Sequence, residues 1–281
     1  DMRTFRPDLA VVLPSSFRTA LSAWAGAALM LIGYQSNWRI FFLSGVPRPL
    51  RSGGAIQPRP MVEHYQEICR WLGLDCSHLT GPRLYFSEKQ KNISQRLLKR
   101  YGITENDRVI GMNPGASFGS SKCWPPEYFA GLAESFAAQY DCKLLLFAGP
   151  GEDGIAEAIV RGSRADIINT APDKVDLGLL KPLIKRCQLL VTNDTGPRHY
   201  AQALGVPAVV LMGPTDPRYT DAHLERTVVL RTKLDCMPCH KRTCPGNHEC
   251  MIRLDPETVL AAGKRMLEPW NQASISKNGR S

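Results

Sequence analysis

The stretch Leu189-Leu190-Val191-Thr192-Asn193-Asp194-Thr195-Gly196-Pro197-Arg198-His199-Tyr200-Ala201-Gln202-Ala203-Leu204 decides the fold class of this chain. An apolar run ending at Thr192 reads as a short buried strand, and a small polar turn then leads into a helix over Pro197–Leu204. The same alternation continues on both sides. Upstream, strands Val109–Met112, Lys143–Phe147 and Asp166–Asn169 alternate with helices Glu127–Gln139, Ile155–Gly162 and Leu177–Arg186. Downstream, strands Ala208–Met212 and Val228–Leu230 precede a helix over Pro256–Leu267. Nearer the start, Leu9–Leu13 and Arg83–Phe86 read as strands, and Ser16–Ala28, Pro60–Leu72 and the charged linker Glu88–Tyr101 as helices. Such alternation implies an α/β chain with parallel sheets and helices on both faces. A boundary is expected near residues 102–107, giving domains 1–104 and 105–281.

In open parallel sheets, ligands bind beyond the carboxyl ends of the strands. Three polar, glycine-containing loops fall at such ends: Asn113-Pro114-Gly115-Ala116, Gly149-Pro150-Gly151 and Asn193-Asp194-Thr195-Gly196. Their convergence on one sheet edge says more than any single loop.

Composition narrows the classes further. The 281 residues carry 35 basic and 26 acidic side chains, a net charge of +9, with 43% hydrophobic and 22% charged residues. These values suit a globular chain and exclude disorder or a coiled coil, and no 20–50-residue repeat marks a solenoid. The longest apolar stretch, Ala20 to Ile32, is broken by Ser22 and Gly26. It falls short of the ~20 residues that cross a bilayer. Nine cysteines in a chain this long do not form a small disulfide scaffold. A soluble, intracellular protein is expected. The chain opens Asp1-Met2-Arg3 without a secretory pattern and runs almost at once into strand-like sequence. The expectation is that the first domain lacks its front.

Charge is concentrated near the start. Residues 1–60 hold seven arginines (Arg3, Arg6, Arg18, Arg39, Arg48, Arg51 and Arg59), no lysine and two acids, a net +5. Guanidinium forks suit bidentate binding of phosphate or carboxylate. A basic solvated surface is the plainer alternative. No basic run interleaved with aromatics points to nucleic acid.

Each loop has a chemical use. Asn193–Gly196 begins a helix that Asp194 or Thr195 can cap, and the exposed N–H groups of such a start bind phosphate. The plain alternative is a capped helix with a core histidine at His199. The loop Asn113 to Pro125 carries Lys122 just before Trp124-Pro125, where an ammonium can neutralise a diphosphate. Gly149-Pro150-Gly151-Glu152-Asp153-Gly154 matches the dinucleotide fingerprint formally, but the place of the ribose-binding acid holds Asn169-Thr170. The loop still brings Glu152 and Asp153 to the ligand edge.

Together, Lys122-x-Trp124-Pro125 after Pro114-Gly115-Ala116, Asn193-Asp194-Thr195-Gly196-x-x-His199, Gly205-x-Pro207 and Gly213-Pro214-Thr215-Asp216-Pro217 resemble the lipopolysaccharide heptosyltransferases of glycosyltransferase family 9. The heptosyltransferase II branch is the nearest in kind, and Leu13 to Leu21 is similar to its acceptor-side segment. The resemblance runs over roughly residues 8–268. It implies a GT-B fold, two Rossmann-like domains facing a cleft, with the nucleotide-sugar on the C-terminal one. It implies inverting transfer of heptose from ADP-heptose to the inner core of lipopolysaccharide, with no cofactor or required metal. By matching motif, Lys122 and His199 hold the donor diphosphate; Asp194, Thr195 and Gly196 hold phosphate or sugar; Glu152 holds the ribose. Arg18 and its neighbours then face a phosphorylated core acceptor, at the cytoplasmic side of the inner membrane. No partner nucleic acid is implied.

Two departures from the family stand out. Its opening glycine-containing loop and basic aspartate have no counterpart here, so no catalytic residue is assigned, and inverting transfer needs such a base. Arg198 occupies a position that is usually apolar. A non-catalytic nucleotide-sugar binder is therefore the rival reading, and a dehydrogenase using the Gly149 loop a third. The cluster Cys236-x2-Cys239-x4-Cys244-x5-Cys250, flanked by His240 and His248, has spacings that suit tetrahedral zinc. Similar clusters recur in the heptosyltransferase II branch, and reduced packed thiols are the alternative.

Overall fold

The computed structural model describes residues 2–36 and 38–278. The chain divides into two compact units, Asp1–Thr80 with Pro217–Ala222, and Gly81–Asp216 with His223–Ser281.

In the first unit, α1 (Met2–Phe5) precedes strand β1 (Leu9–Val11), helix α2 (Phe17–Ala25) and strand β2 (Met30–Ile32). The two strands pair in parallel with Leu9 opposite Met30. Ser16 starts α2 by accepting the Thr19 N–H at 3.2 Å. A hairpin of β3 (Arg51–Ser52) and β4 (Ala55–Ile56) turns on Gly53 and Gly54 at φ +57° and +83°, the positive values that a two-residue turn needs. Helix α3 (Met61–Trp71) follows, burying Ile68 against Ile32 and Tyr34.

The second unit opens on α4 (Glu88–Arg100), started by a reciprocal Ser87–Gln90 capping box. It continues with β5 (Arg108–Asn113), α5 (Pro126–Gln139), β6 (Cys142–Leu146), α6 (Asp153–Arg161) and β7 (Ile167–Asn169). Then come α7 (Leu177–Arg186), β8 (Leu189–Asn193), α8 (Gly196–Leu204), β9 (Ala208–Leu211), β10 (Thr227–Leu230), the short α9 (Glu249–Ile252) and α10 (Pro256–Asn278). Six strands form one sheet in the order β10-β9-β8-β5-β6-β7, every pair parallel. Both faces are buried, which is why these strands read as unbroken apolar runs. Leu144, Leu146 and Val191 join Trp124, Phe129 and Phe136 in one core layer. Leu145, Leu190 and Val210 join Leu97, Leu183 and Ile184 in the other.

Three expectations need correction. Arg83–Phe86 belongs to no sheet; Leu84 and Phe86 pack on the core instead, and the Leu84 N–H reaches the Ala203 carbonyl at 3.4 Å. The compact units meet at Thr80/Gly81 rather than near residue 104, because α4 packs on α7 and feeds Leu97 and Leu98 into the sheet's core. The last helix runs on to Asn278, past the Leu267 where its apolar periodicity ends.

The site's position follows from the topology. From β5 the chain turns to one side for β6 and β7, then crosses over to lay β8 on the other side of β5. This reversal opens a crevice at the carboxyl ends of β5 and β8. Asn113 and Asn193 end those two strands.

Candidate functional site

A cavity of about 740 Å³ lies at this crevice. Its polar lining includes Asn113, Glu152, Asp153, Thr170, Thr195 and Gly196. Its apolar wall is built from Phe147, Ala171, Pro172, Val175, Leu177 and Leu180. Of the donor-site residues expected from the sequence, Glu152, Thr195 and Gly196 line it, while Lys122, Asp194 and His199 are not part of its lining.

A buried asparagine fixes the rim. The Asn193 amide donates to the Pro114 carbonyl at 2.6 Å, while its oxygen accepts the Trp124 N–H at 3.2 Å. The loop after β5 is thereby pinned to the end of β8. Trp124 itself is fully buried, with its indole N–H on the Leu254 carbonyl at 2.7 Å.

Glu152 owes its position to a glycine. A Cβ at Gly115 would run into the Glu152 carboxylate, so only glycine lets the two loops meet. One Glu152 oxygen accepts the Gly149 N–H at 2.7 Å. Gly119, at φ +151°, is a second close approach: a Cβ there would strike the Arg242 carbonyl. Ser121 extends that contact, its N–H reaching the Arg242 carbonyl at 3.1 Å and its hydroxyl the Lys241 carbonyl at 2.5 Å. The His248 ring nitrogen also bonds the Ser121 carbonyl at 2.8 Å. The 3-10 turn that carries Lys122 is thus strapped to the cysteine-containing segment.

Lys122 and Asp194 meet. The ammonium donates to Asp194 Oδ2 at 2.7 Å and to the Asp194 carbonyl at 2.9 Å. Thr215 donates its hydroxyl to the same Oδ2 at 2.7 Å, and Arg198 donates to Oδ1 at 2.6 Å. Burial works against ionising this carboxyl. The Lys122 bond and charge, Thr215 and Arg198 outweigh it and hold Asp194 below the usual carboxylate range. Asp194 therefore does not cap α8, and the N-cap Thr195 makes no side-chain capping bond.

His199 is not a core histidine. It is exposed on α8, with Nδ1 at 3.0 Å from Gln202 Oε1. Partial desolvation of its ring, then the Arg198 charge, hold the imidazole below the ordinary histidine value, so the side chain is neutral at pH 7. Arg18 belongs to the other unit, exposed in the first turn of α2. Among the other early arginines, Arg39 is fully buried and bonds the Tyr34 and Pro14 carbonyls, so it serves the fold. Arg59 pairs with Glu67 at 3.4 Å. Arg6, Arg48 and Arg51 are exposed, and the Arg3 side chain lies outside the described residues.

The four clustered cysteines are free thiols. Burial, then the neighbouring thiols of Cys244, Cys239 and Cys236, push Cys250 up to about 11. Among the described residues, no group of three or more His, Cys, Asp or Glu side chains is placed to hold a metal ion. Also among them, no helix is long and apolar enough to cross a membrane.

The model of glycosyltransferase family 9 (heptosyltransferase) matches residues 2–249. The chain belongs to glycosyltransferase family 9. Within the family, it is 30% identical to lipopolysaccharide heptosyltransferase 2 of Escherichia coli over 92% of this chain and 75% of that one. It is 35% identical to lipooligosaccharide heptosyltransferase 2 of Campylobacter jejuni over 68% of this chain, and the match spans 59% of that relative's length. Its fold is similar to that of the solved E. coli ADP-heptose lipopolysaccharide heptosyltransferase II, with a TM-score of 0.77 at 26% identity, covering 96% of this chain and 79% of that one. The α/β, GT-B expectation holds.

Sequence reasoning missed three features of the site. Thr215 was visible only as part of a Gly-Pro-Thr-Asp-Pro motif, and its bond to Asp194 spans two loops. Gly115 reads as a turn residue, because its contact with Glu152 depends on how two strands align. The cavity's apolar wall at Ala171–Leu180 carries no motif at all.

Proposed function

We propose that this family 9 chain transfers heptose from ADP-heptose to the inner core of lipopolysaccharide, with inversion, and that Gly81–Asp216 with His223–Ser281 binds the donor. The observation that carries this is the cavity at the switch point, an apolar slot with Glu152 on its rim and an α-helix N-terminus, Thr195-Gly196, at its edge. The apolar wall suits a purine base. The Glu152 carboxylate accepts ribose hydroxyls, one oxygen already held by Gly149. The N–H groups opening α8 and the Lys122 ammonium suit a diphosphate. A Cβ at Gly196 would meet nothing within 4 Å, so the backbone there is open to a ligand. His199, neutral and exposed, adds a hydrogen bond rather than a charge.

The residues of this unit bind and orient; none is assigned as the base. Asp194 is unsuited to that role, since a carboxylate held by three donors below its usual range is a poor proton acceptor at neutral pH. The acceptor is a phosphorylated core saccharide, received by the arginine-bearing first unit. Trp24, Trp38 and Phe41, and Arg18, Arg48 and Arg51, are all exposed in the first unit, a composition that suits peripheral contact with the inner face of the inner membrane.

The deciding experiment incubates the protein with ADP-heptose and heptose-deficient core lipopolysaccharide and follows ADP release and acceptor mass. Gain of one heptose is expected. ADP-heptose binding without transfer would favour the non-catalytic binder, and absence of binding would overturn the site.

Two variants separate its parts. Gly115→Ala should displace the Glu152 carboxylate and weaken adenosine and ADP together, by roughly tenfold or more, the loss of one charge-assisted hydrogen-bond set. Unchanged adenosine affinity would remove Glu152 from the ribose. Arg18→Ala should raise the acceptor's apparent KM and flatten its salt dependence, because exposed attraction is screened over about 8 Å at physiological salt. Donor affinity should stay the same; a fall in it would reverse the assignment of the two units.

A further inference from the structure

The loop that delivers Lys122 has little of its own to hold it in shape. Ala116-Ser117-Phe118-Gly119-Ser120-Ser121 is small and polar around one aromatic, and only the 3-10 turn Ser120–Lys122 orders its end. A lysine ammonium rides on a flexible four-carbon stem, so it is placed only as well as its backbone is. The backbone is held from a distant segment. Ser121 is buried, and all three of its polar groups bond there. Its N–H reaches the Arg242 carbonyl at 3.1 Å, its hydroxyl the Lys241 carbonyl at 2.5 Å, and its own carbonyl meets His248 Nε2 at 2.8 Å. A carbonyl can only accept, so His248 donates through an Nε2–H. Arg242 Nε adds a bond to the Phe118 carbonyl at 2.9 Å.

The same segment also grips a second loop. The N–H groups of Cys239 and His240 both donate to the Pro214 carbonyl, at 3.0 and 2.9 Å. A Cβ at Gly213 would strike the Met251 and Cys250 sulfurs, so only glycine lets that loop lie so close. Pro214 directly precedes Thr215, whose hydroxyl shares Asp194 Oδ2 with the Lys122 ammonium, each at 2.7 Å. One stretch of chain, Cys239–Cys250, thereby sets two loops whose donors converge on a single oxygen. Its residues stay out of the cavity lining. Cys250 and Met251, just beyond His248, are buried in the sheet's core, so the histidine is backed by packed structure.

We propose that His248 is a positioning residue for the donor's diphosphate: its bond to the Ser121 carbonyl locks the turn that carries Lys122. This rests on the donor-site reading above. It makes His248 act on phosphate affinity through the lysine, without touching the ligand.

The test is calorimetric titration of the full chain with ADP and with adenosine. His248→Ala should weaken ADP about fivefold, the order of one hydrogen bond, and adenosine by less than about twofold. His248→Gln should restore most of the ADP affinity, since its side-chain amide brings an N–H close to the place of Nε2. In a Lys122→Ala background, adding His248→Ala should change ADP affinity by less than about twofold, because a residue that acts through the lysine then has nothing to act on. Ser121→Ala is the second probe, and it carries the test should His248→Ala not fold. It removes only the bond to the Lys241 carbonyl and should weaken ADP about threefold, with adenosine unchanged. Parallel weakening of ADP and adenosine, additive losses in the double variant, or ADP binding unaffected by either substitution overturns the proposal while leaving the donor site standing. Failure of the wild-type protein to bind ADP at all overturns both.

Discussion

Asp194→Ala should destabilise the fold by about 3–5 kcal/mol, the usual cost of removing one partner from a buried ion pair. Arg198 is nearly inaccessible to water, and its guanidinium would be left facing the place of a lost carboxylate. Lys122 and Thr215 would lose their common acceptor as well. The effect should appear in urea as a lower midpoint with an unchanged slope. The pH dependence has a definite sign. The folded-state pKa of Asp194 is depressed, so its stabilisation is complete above the unfolded value of about 3.9 and disappears as pH falls through the folded value. The stability gap between wild type and Asp194→Asn should therefore be constant from pH 5 to 8 and close below about pH 4. A gap that widened in acid would contradict this account of the carboxylate.

The sheet was legible because its physics is local. A parallel strand buried on both faces must be apolar throughout, and Leu189–Thr192 or Ala208–Met212 can serve nothing else between turn residues. Arg83–Phe86 shows where this ends: four strand-like residues become a strand only if an edge is open to them, and partner edges are not written locally. The domain boundary failed for a related reason. The composition of α4 is that of a charged linker, but Leu97 and Leu98 are enough to bind it to the sheet. At the site, the strand ends placed the loops of Lys122, Glu152, Asp194 and Gly196 on one edge of the sheet. What could not be read is which cation takes which oxygen. Arg198 looked like a departure from the family pattern, and only the geometry, with Lys122 and Asp194 brought together across 72 positions, shows it sharing a carboxylate with the lysine.

The lysine is where binding should respond most. Lys122→Ala is expected to weaken ADP by roughly tenfold to a hundredfold, since hydrogen bonds to charged groups are worth about 1.5–3 kcal/mol. Adenosine should bind as before, because nothing in the base or ribose half of the cavity involves the ammonium. Stability should change little, for Asp194 keeps Arg198 and Thr215 when the lysine is gone. That separation makes the variant informative: a binding loss seen in a stably folded protein belongs to the ligand. Lys122→Arg is expected to restore charge without restoring full affinity, because a planar fork cannot occupy the compact position between Asp194 Oδ2 and the Asp194 carbonyl. The salt dependence of ADP binding should flatten in Lys122→Ala and remain in Lys122→Arg. If ADP and adenosine weakened in parallel, Lys122 would be holding the loop between Gly119 and Trp124 in place, and the diphosphate would have to be met by the α8 N-terminus alone.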